Sequence, residues 1–284
     1  MRQAAALAGC AAAVAIGACG GGGDSAASTI HGHRFDAGRA FKLIERQVAL
    51  GHRPAGSPAS RELGRILRRK LPRGRFEPLA GGLRNVVGTL PGPGPAIVIG
   101  AHYDSEALPK RFVGANDGAA GTAAVVELAR ALKRDLPAGH RELRFVLFDG
   151  EEEPAHCTPF ISCGLRGSKA YVAAHPGESG DMVLLDYIAN KGLRIPREGN
   201  SDPALWARLR AAAARVGAGA LFPDASGPPI IDDHVPFLQA GVPSIDLIDF
   251  SYRYRDSNAD TVDKLSPTSL DAVGESVAQL VVSL

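Results

Sequence analysis

The chain has 284 residues, 45% of them hydrophobic, enough to bury one large core or two small ones. Its 32 basic residues nearly cancel 30 acidic ones, leaving a net charge of +2. Without a basic stripe, the composition gives no reason to expect a nucleic acid or an anionic membrane surface as partner.

Residues 1–28 read as an export signal with a tether: Arg2 is a positive start, 4–18 is a small-residue apolar stretch, and a glycine run begins at Gly20. The stretch is short for a spanning helix. Ile16-Gly17-Ala18-Cys19 resembles a bacterial lipobox, making Cys19 a candidate for lipidation, with the glycines as linker; a plain secretory signal is the alternative. The expected location is therefore a bacterial cell surface or the secreted fraction, with a lipid anchor as the sole membrane contact.

Past the tether, the apolar spacing predicts a helix over 37–50, a turn at 51–57 and a basic helix ending near Leu71, all as surface elements. Strands are predicted over 85–90 and 96–101, joined hairpin-fashion by Pro91-Gly92-Pro93-Gly94-Pro95, and the second leads into His102 and Asp104. A buried helix over 118–133 precedes the strand 143–148. A short helix at 167–174, a strand at 182–188, a helix at 203–216, a strand at 244–248 and an amphipathic helix at 266–284 complete the chain. Strands alternating with helices predict one domain over 29–284, a three-layer α/β/α sandwich on a mixed, mostly parallel sheet. Nothing in the chain signals oligomerisation, and a monomer is expected.

Phe145-Val146-Leu147-Phe148-Asp149-Gly150-Glu151-Glu152 is the most telling stretch, a buried-strand pattern ending in adjacent carboxylates. Side chains just past a strand end diverge, so one glutamate can bind a cation while its neighbour carries a proton. Open α/β sheets bind ligands beyond the carboxyl ends of their strands. This chain places His102, Asp104, Glu151, Glu152 and Asp186 there, with Asp117 opening a helix and Asp256 following the last strand. Cys157 and Cys163 lie six apart in a polar loop, and an exported chain would meet oxidising conditions, so they are a candidate disulfide. Their spacing matches no standard zinc site. Trp206 reads as a packing anchor, His234 as a structural or supporting group, and at least one of Phe250, Tyr252 and Tyr254 as a pocket wall. The remaining histidines, His31, His33, His52, His140, His156 and His175, read as surface.

His102-Tyr103-Asp104-Ser105, Gly114-Ala115-Asn116-Asp117-Gly118, Phe148-Asp149-Gly150-Glu151-Glu152, Gly167-Ser168 and Asp232-Asp233-His234-Val235-Pro236-Phe237 occur in order. Together they resemble the zinc aminopeptidase and glutaminyl cyclase superfamily, from about Gly51 to the C-terminus. The resemblance implies one or two zinc ions and peptide or protein N-termini as substrates. In the two-metal arrangement Asp117 bridges, His102 and Asp186 complete one site, and Glu152 with Asp256 completes the other. Glu151 is the implied proton carrier, and Asp104 is expected to fix the His102 tautomer through a hydrogen bond. Asp232 matches the cyclase branch, where aminopeptidases commonly carry serine. There Asp186 and Asp232 position the glutamate and the intermediate, and N-terminal glutamine cyclises to pyroglutamate with loss of ammonia. Two departures stand out. Asp256 occupies the place of the family's last histidine ligand, which would make an all-carboxylate site harder, and the cyclase loop tryptophan is absent near Cys157. The alternatives are a metallo-aminopeptidase and a metal-poor surface binding protein in which Arg255 simply neutralises Asp256.

Overall fold

Two capped helices open the fold. The Asp36 side chain accepts the Arg39 N–H to start α1 (Ala37–Val48), and Ser57 accepts that of Ser60 to start α2 (Pro58–Lys70), with Pro58 in its first turn. The computed structural model describes residues 30–284, so the export signal, Cys19 and the tether lie outside the described residues. Then come β1 (Arg75–Pro78), β2 (Arg84–Leu90), β3 (Ala96–His102), α3 (Ala119–Asp135) and β4 (Leu143–Phe148). They are followed by α4 (Phe160–Cys163), α5 (Arg166–Ala174), β5 (Ser179–Asp186), α6 (Pro203–Arg215), α7 (His234–Gln239), β6 (Ser244–Ile248) and α8 (Pro267–Val281).

The six strands form one mixed sheet ordered β1-β2-β4-β3-β5-β6. The strands β4, β3, β5 and β6 run parallel, whereas β1 and β2 pair antiparallel at one edge. This corrects the expected hairpin. Although β2 and β3 are consecutive, β4 lies between them, pairing Phe145 with Gly88 on one side and with Ile99 on the other. The proline-glycine loop at 91–95 thus carries the chain across β4 instead of turning it back. A strand as apolar as β4 is stable in the interior of a sheet covered on both faces.

Those faces are covered by helices. Ile97, Ile99 and Ala101 of β3 point into the larger core with α1, α2, α3, α6 and α8, while Val98 faces a smaller core of Phe148, Tyr171, Met182 and Phe237 under α5 and α7. Trp206 is an anchor of the larger core, edge-on to Phe222 at 5.9 Å. Because β3, β4, β5 and β6 are parallel, His102, Phe148, Asp186 and Ile248 all end at the same edge of the sheet. No helix among the described residues is long and apolar enough to cross a membrane.

Candidate active site

The loop between β3 and α3 brings Asp117 to the ends of the strands. Its backbone is fastened by Asp260, whose carboxylate accepts the N–H groups of Asn116 and Asp117 at 3.0 Å and the Tyr252 hydroxyl at 2.8 Å. Gly118 then starts α3 with φ +77°, and a Cβ there would lie 2.6 Å from the Asp104 carbonyl oxygen. Only glycine fits this position.

Past β4, the backbone of the paired glutamates is gripped from the start of α5. Leu165 N–H donates to Glu151 O at 2.8 Å, Arg166 N–H donates to Gly150 O at 2.9 Å, and the Arg166 guanidinium reaches Glu152 O at 2.8 Å. Gly167 allows this close approach, since a Cβ there would lie 2.6 Å from Asn85 Oδ1. Cys157 and Cys163 form a disulfide across the loop between the glutamates and this helix. Asp104 accepts the Glu151 N–H at 3.3 Å. Its carboxylate is 3.7 Å from His102 Nδ1, which has no hydrogen-bond partner, so the expected tautomer-fixing bond is not made at this distance.

The metal-binding residue types fall into two groups that share Asp117. His102, Asp117 and Glu152 form one, and Glu106, Asp117 and Asp256 the other; within each, the ligand atoms lie within 4.8 Å of one another. Asp117 is common to the two groups, at the position where the resemblance expects a bridging ligand. Glu152 sits with His102 instead of Asp256, because Asp256 is turned outward, with φ +54° and a side chain 56% exposed. Asp186 Oδ1 is 3.5 Å from His102 Nε2 but joins neither group. Arg255 Nε lies 3.6 Å from Asp256 Oδ2, within ion-pair distance, and its guanidinium also stacks on Phe250 at 3.9 Å.

Three further residues escaped the sequence reading. The Tyr187 hydroxyl donates to Asp117 Oδ2 at 2.5 Å and sits 3.2 Å from Asp256 Oδ1. Glu106 belongs to the second carboxylate group. Arg53, placed in a surface turn by the sequence, is fully buried behind the site, where its guanidinium donates to the carbonyls of Val113 and Gly114. Burial lowers its pKa to about 10 against the pull of Asp117, Asp260, Asp104 and Glu152. His52, expected at the surface, is half-buried and bonds Glu106 O at 2.7 Å.

His102, Glu106, Asp117, Glu152, Tyr187 and Asp256 face a cavity of about 680 Å³, also lined by Glu151, Asp186, Asp232 and Phe250. Burial pushes the Glu151 carboxyl well above its ordinary value; His102 opposes this, and Asp232, Asp233 and Asp104 reinforce it. Burial likewise raises Glu152, with Asp117 and Glu151 adding to it, and carries Asp186 up to about 7 against the pull of His102. For Asp117, burial is outweighed by its bonds with His102 and Tyr187, which hold it below the usual carboxylate range. Among the described residues, no lysine or arginine lies within ion-pair distance of Asp117, Glu152 or Glu106. Buried carboxylates around one imidazole, with no fixed cation among them, have the donor chemistry of a divalent metal centre. The residues fit the metal that the resemblance implies.

A family model described as peptidase family M28 matches residues 85–281. The chain belongs to peptidase family M28. Glutaminyl-peptide cyclotransferase of Bothrops jararaca is 31% identical over 189 residues, covering 54% of this chain and 51% of that protein. The chain thus spans about half the length of the curated relatives it matches first. Among solved structures, Porphyromonas gingivalis glutaminyl cyclase superposes with a TM-score of 0.77 at 27% identity, covering 88% of this chain and 99% of that one. A Zn-dependent exopeptidase from Parabacteroides distasonis has the same TM-score, 0.77, at 25% identity, over 88% and 99% of the two chains. This M28 chain has the sheet order, strand-end site and shared aspartate described above.

Proposed function

We propose that this M28 protein is a zinc-dependent glutaminyl-peptide cyclotransferase, converting an N-terminal glutamine into pyroglutamate with release of ammonia. The observation that carries this reading is Asp232, only 4% exposed, lining the same cavity as Glu151 and Asp186. A hydrolase needs one proton carrier beside its metal, whereas cyclisation must also hold an amine and an amide in attacking geometry. His102, Asp117 and Glu152 would hold the ion. When bound, it would polarise the side-chain carbonyl of the substrate glutamine.

The chain's own groups account for the rest. The α-amino nitrogen forms a bond to the side-chain amide carbon, and the bond from that carbon to its nitrogen breaks. Glu151 takes the proton released by the attacking amine and delivers it to the departing nitrogen, so it ends as it began. The raised proton affinity of its buried carboxyl suits both halves of that transfer. Asp232 and Asp186 accept hydrogen bonds from the substrate amine and the leaving group. Leu108, Ile231 and Phe250, the large apolar side chains exposed among the described residues, all border the cavity and would contact the residues after the glutamine.

Metallo-aminopeptidase activity is the second reading, favoured by the presence of His102 in a ligand group that shares Asp117 with another. Mass spectrometry of Gln-peptides and Leu-peptides incubated with purified protein separates the two. Cyclisation appears as loss of one ammonia from Gln-peptides alone; free amino acid without pyroglutamate overturns the cyclase assignment. The sequence of 1–28 supports export and anchoring through Cys19, which mass spectrometry of the mature N-terminus tests.

A further inference from the structure

Glu106 lies four residues beyond the end of β3, in a loop, yet its backbone and that of Ser105 are held by the 51–57 turn. Ser105 N–H donates to Arg53 O at 3.2 Å, Arg53 N–H donates back to Ser105 Oγ at 3.1 Å, and the His52 ring donates to Glu106 O at 2.7 Å. This clamp from the 51–57 turn presents the Glu106 side chain to the cavity that Asp117 and Asp256 also line. The guanidinium of the buried Arg53 is turned to the carbonyls of Val113 and Gly114.

The spacing of the three carboxylates suits an ion. Oxygen ligands lie about 2.0–2.6 Å from a divalent cation, so two of them on one ion are at most about 5 Å apart. The ligand atoms of Glu106, Asp117 and Asp256 lie within 4.8 Å of one another. Asp117 links this group to one whose buried imidazole, His102, is 2% exposed, with its Nε2 3.2 Å from Asp117 Oδ1. The Tyr187 hydroxyl donates to Asp117 Oδ2 at 2.5 Å and lies 3.2 Å from Asp256 Oδ1, between the two aspartates.

We propose that Glu106 is a metal ligand in this chain, completing with Asp117 and Asp256 an outer, all-carboxylate position beside the His102–Asp117–Glu152 position. The inference rests on the metal-dependent reading above. It makes the centre asymmetric: the inner position, with an imidazole, suits zinc, and the outer, with oxygen ligands alone, suits a harder ion such as Mn²⁺. A shortened, outward-turned Asp256 in place of a histidine leaves the outer position short of a donor, and Glu106 supplies it from the opposite wall.

The test uses metal-free full-length protein titrated with Zn²⁺ alone and Mn²⁺ alone, read by calorimetry and by the Mn²⁺ electron paramagnetic resonance signal. The wild type is expected to bind Zn²⁺ at the inner position and Mn²⁺ at the outer. Glu106→Gln is expected to weaken Mn²⁺ at least about 10-fold while leaving the first Zn²⁺ in place. Asp256→Asn approaches the same position from the other wall and should give the same selective loss. Melting of metal-free Glu106→Gln at or above the wild-type temperature establishes that the variant is folded, since it removes one charge from a crowded acidic group. Mn²⁺ affinity unchanged in both variants overturns the proposal, as does an equal loss of Zn²⁺ and Mn²⁺ in both. Failure of the wild type to bind any Zn²⁺ sinks the metal-dependent function as well, so the two failures are distinguishable.

Discussion

Replacing Glu198 by glutamine should weaken the fold at neutral pH and cease to matter in acid. The Glu198 side chain is buried and accepts the N–H groups of Asn200 and Ile230 at 2.8 and 2.7 Å and the Ser201 hydroxyl at 3.0 Å; His234 Nε2 is 3.2 Å away. Although burial opposes the charge, His234 and the two backbone donors hold the carboxyl down to about 2, from an ordinary 4.5. A group whose folded pKa is depressed stabilises the fold above its unfolded value, and that stabilisation is lost as pH falls through the folded value. The window here is therefore between about 4.5 and about 2. At about 1.4 kcal/mol per unit the ceiling is about 3 kcal/mol, and solvent screening from the exposed neighbours Gly199 and Asn200 reduces it to about 1–2 kcal/mol. Denaturant unfolding of wild type and Glu198→Gln, at pH 7 and again near pH 2.5 (about two units below the unfolded value), measures the difference. The gap should shrink in acid. A penalty equal at both pH values would refute the argument, because uncharged hydrogen bonding alone would then explain Glu198. The ion also has a place in function, since it anchors Ile230 on the loop that carries Asp232.

Three other substitutions test the site's supports and its chemistry. Asp260→Ala strands the buried N–H groups of Asn116 and Asp117 and the Tyr252 hydroxyl, and should lower unfolding free energy by at least about 3 kcal/mol, with Asp260→Asn losing less. Gly118→Ala places a Cβ 2.6 Å from the Asp104 carbonyl at φ +77°, and should cost about 2–4 kcal/mol in the same unfolding assay. Glu151→Gln should reduce kcat by about 10²- to 10⁴-fold while metal content, measured by elemental analysis, stays at the wild-type level. Loss of metal in that variant would place Glu151 among the ligands instead.

The end of β4 was readable because its apolar run stops at Asp149, whereas β5 was read through Ile188 because the apolar run continues past Asp186, where the strand ends. The alternation of strands and helices sufficed for the layered fold. What could not be read is which strand lies beside which. A five-residue proline-glycine loop suits a hairpin as well as a crossing, and the choice depends on β4, whose pairings are remote in sequence. Arg53 was invisible on similar grounds: an arginine in a Gly-Pro turn is ordinarily solvated, and its burial depends on carbonyls about sixty residues away. Tyr187 and Glu106 carry no pattern of their own. Their one legible cue is proximity to strand ends, Tyr187 directly after Asp186 and Glu106 two residues beyond Asp104. Asp256 could be aligned by its distance from Asp260, but not its outward turn, which is a backbone property.

Adjacency at a strand end explains why Glu151 and Glu152 can differ in task, though not what keeps them apart. The answer lies in the groups that hold them. Both backbones are fixed by Leu165 and Arg166, so neither glutamate can rotate as a unit into the other's place. Glu152 then meets Asp117 and the His102 ring, while Glu151 Oε2 stays 3.9 Å from His102 Nδ1, on the ring's other nitrogen. One imidazole thus separates the two carboxylates: its Nε2 faces the ligand side and its Nδ1 the proton-carrying side. A cation on the ligand side would neutralise Glu152 and Asp117 directly and, across the ring, would offset part of the rise in Glu151 proton affinity that burial, Asp232 and Asp233 cause. His102 therefore stands as the partition of the site as well as a proposed ligand, and its replacement should blur both roles together.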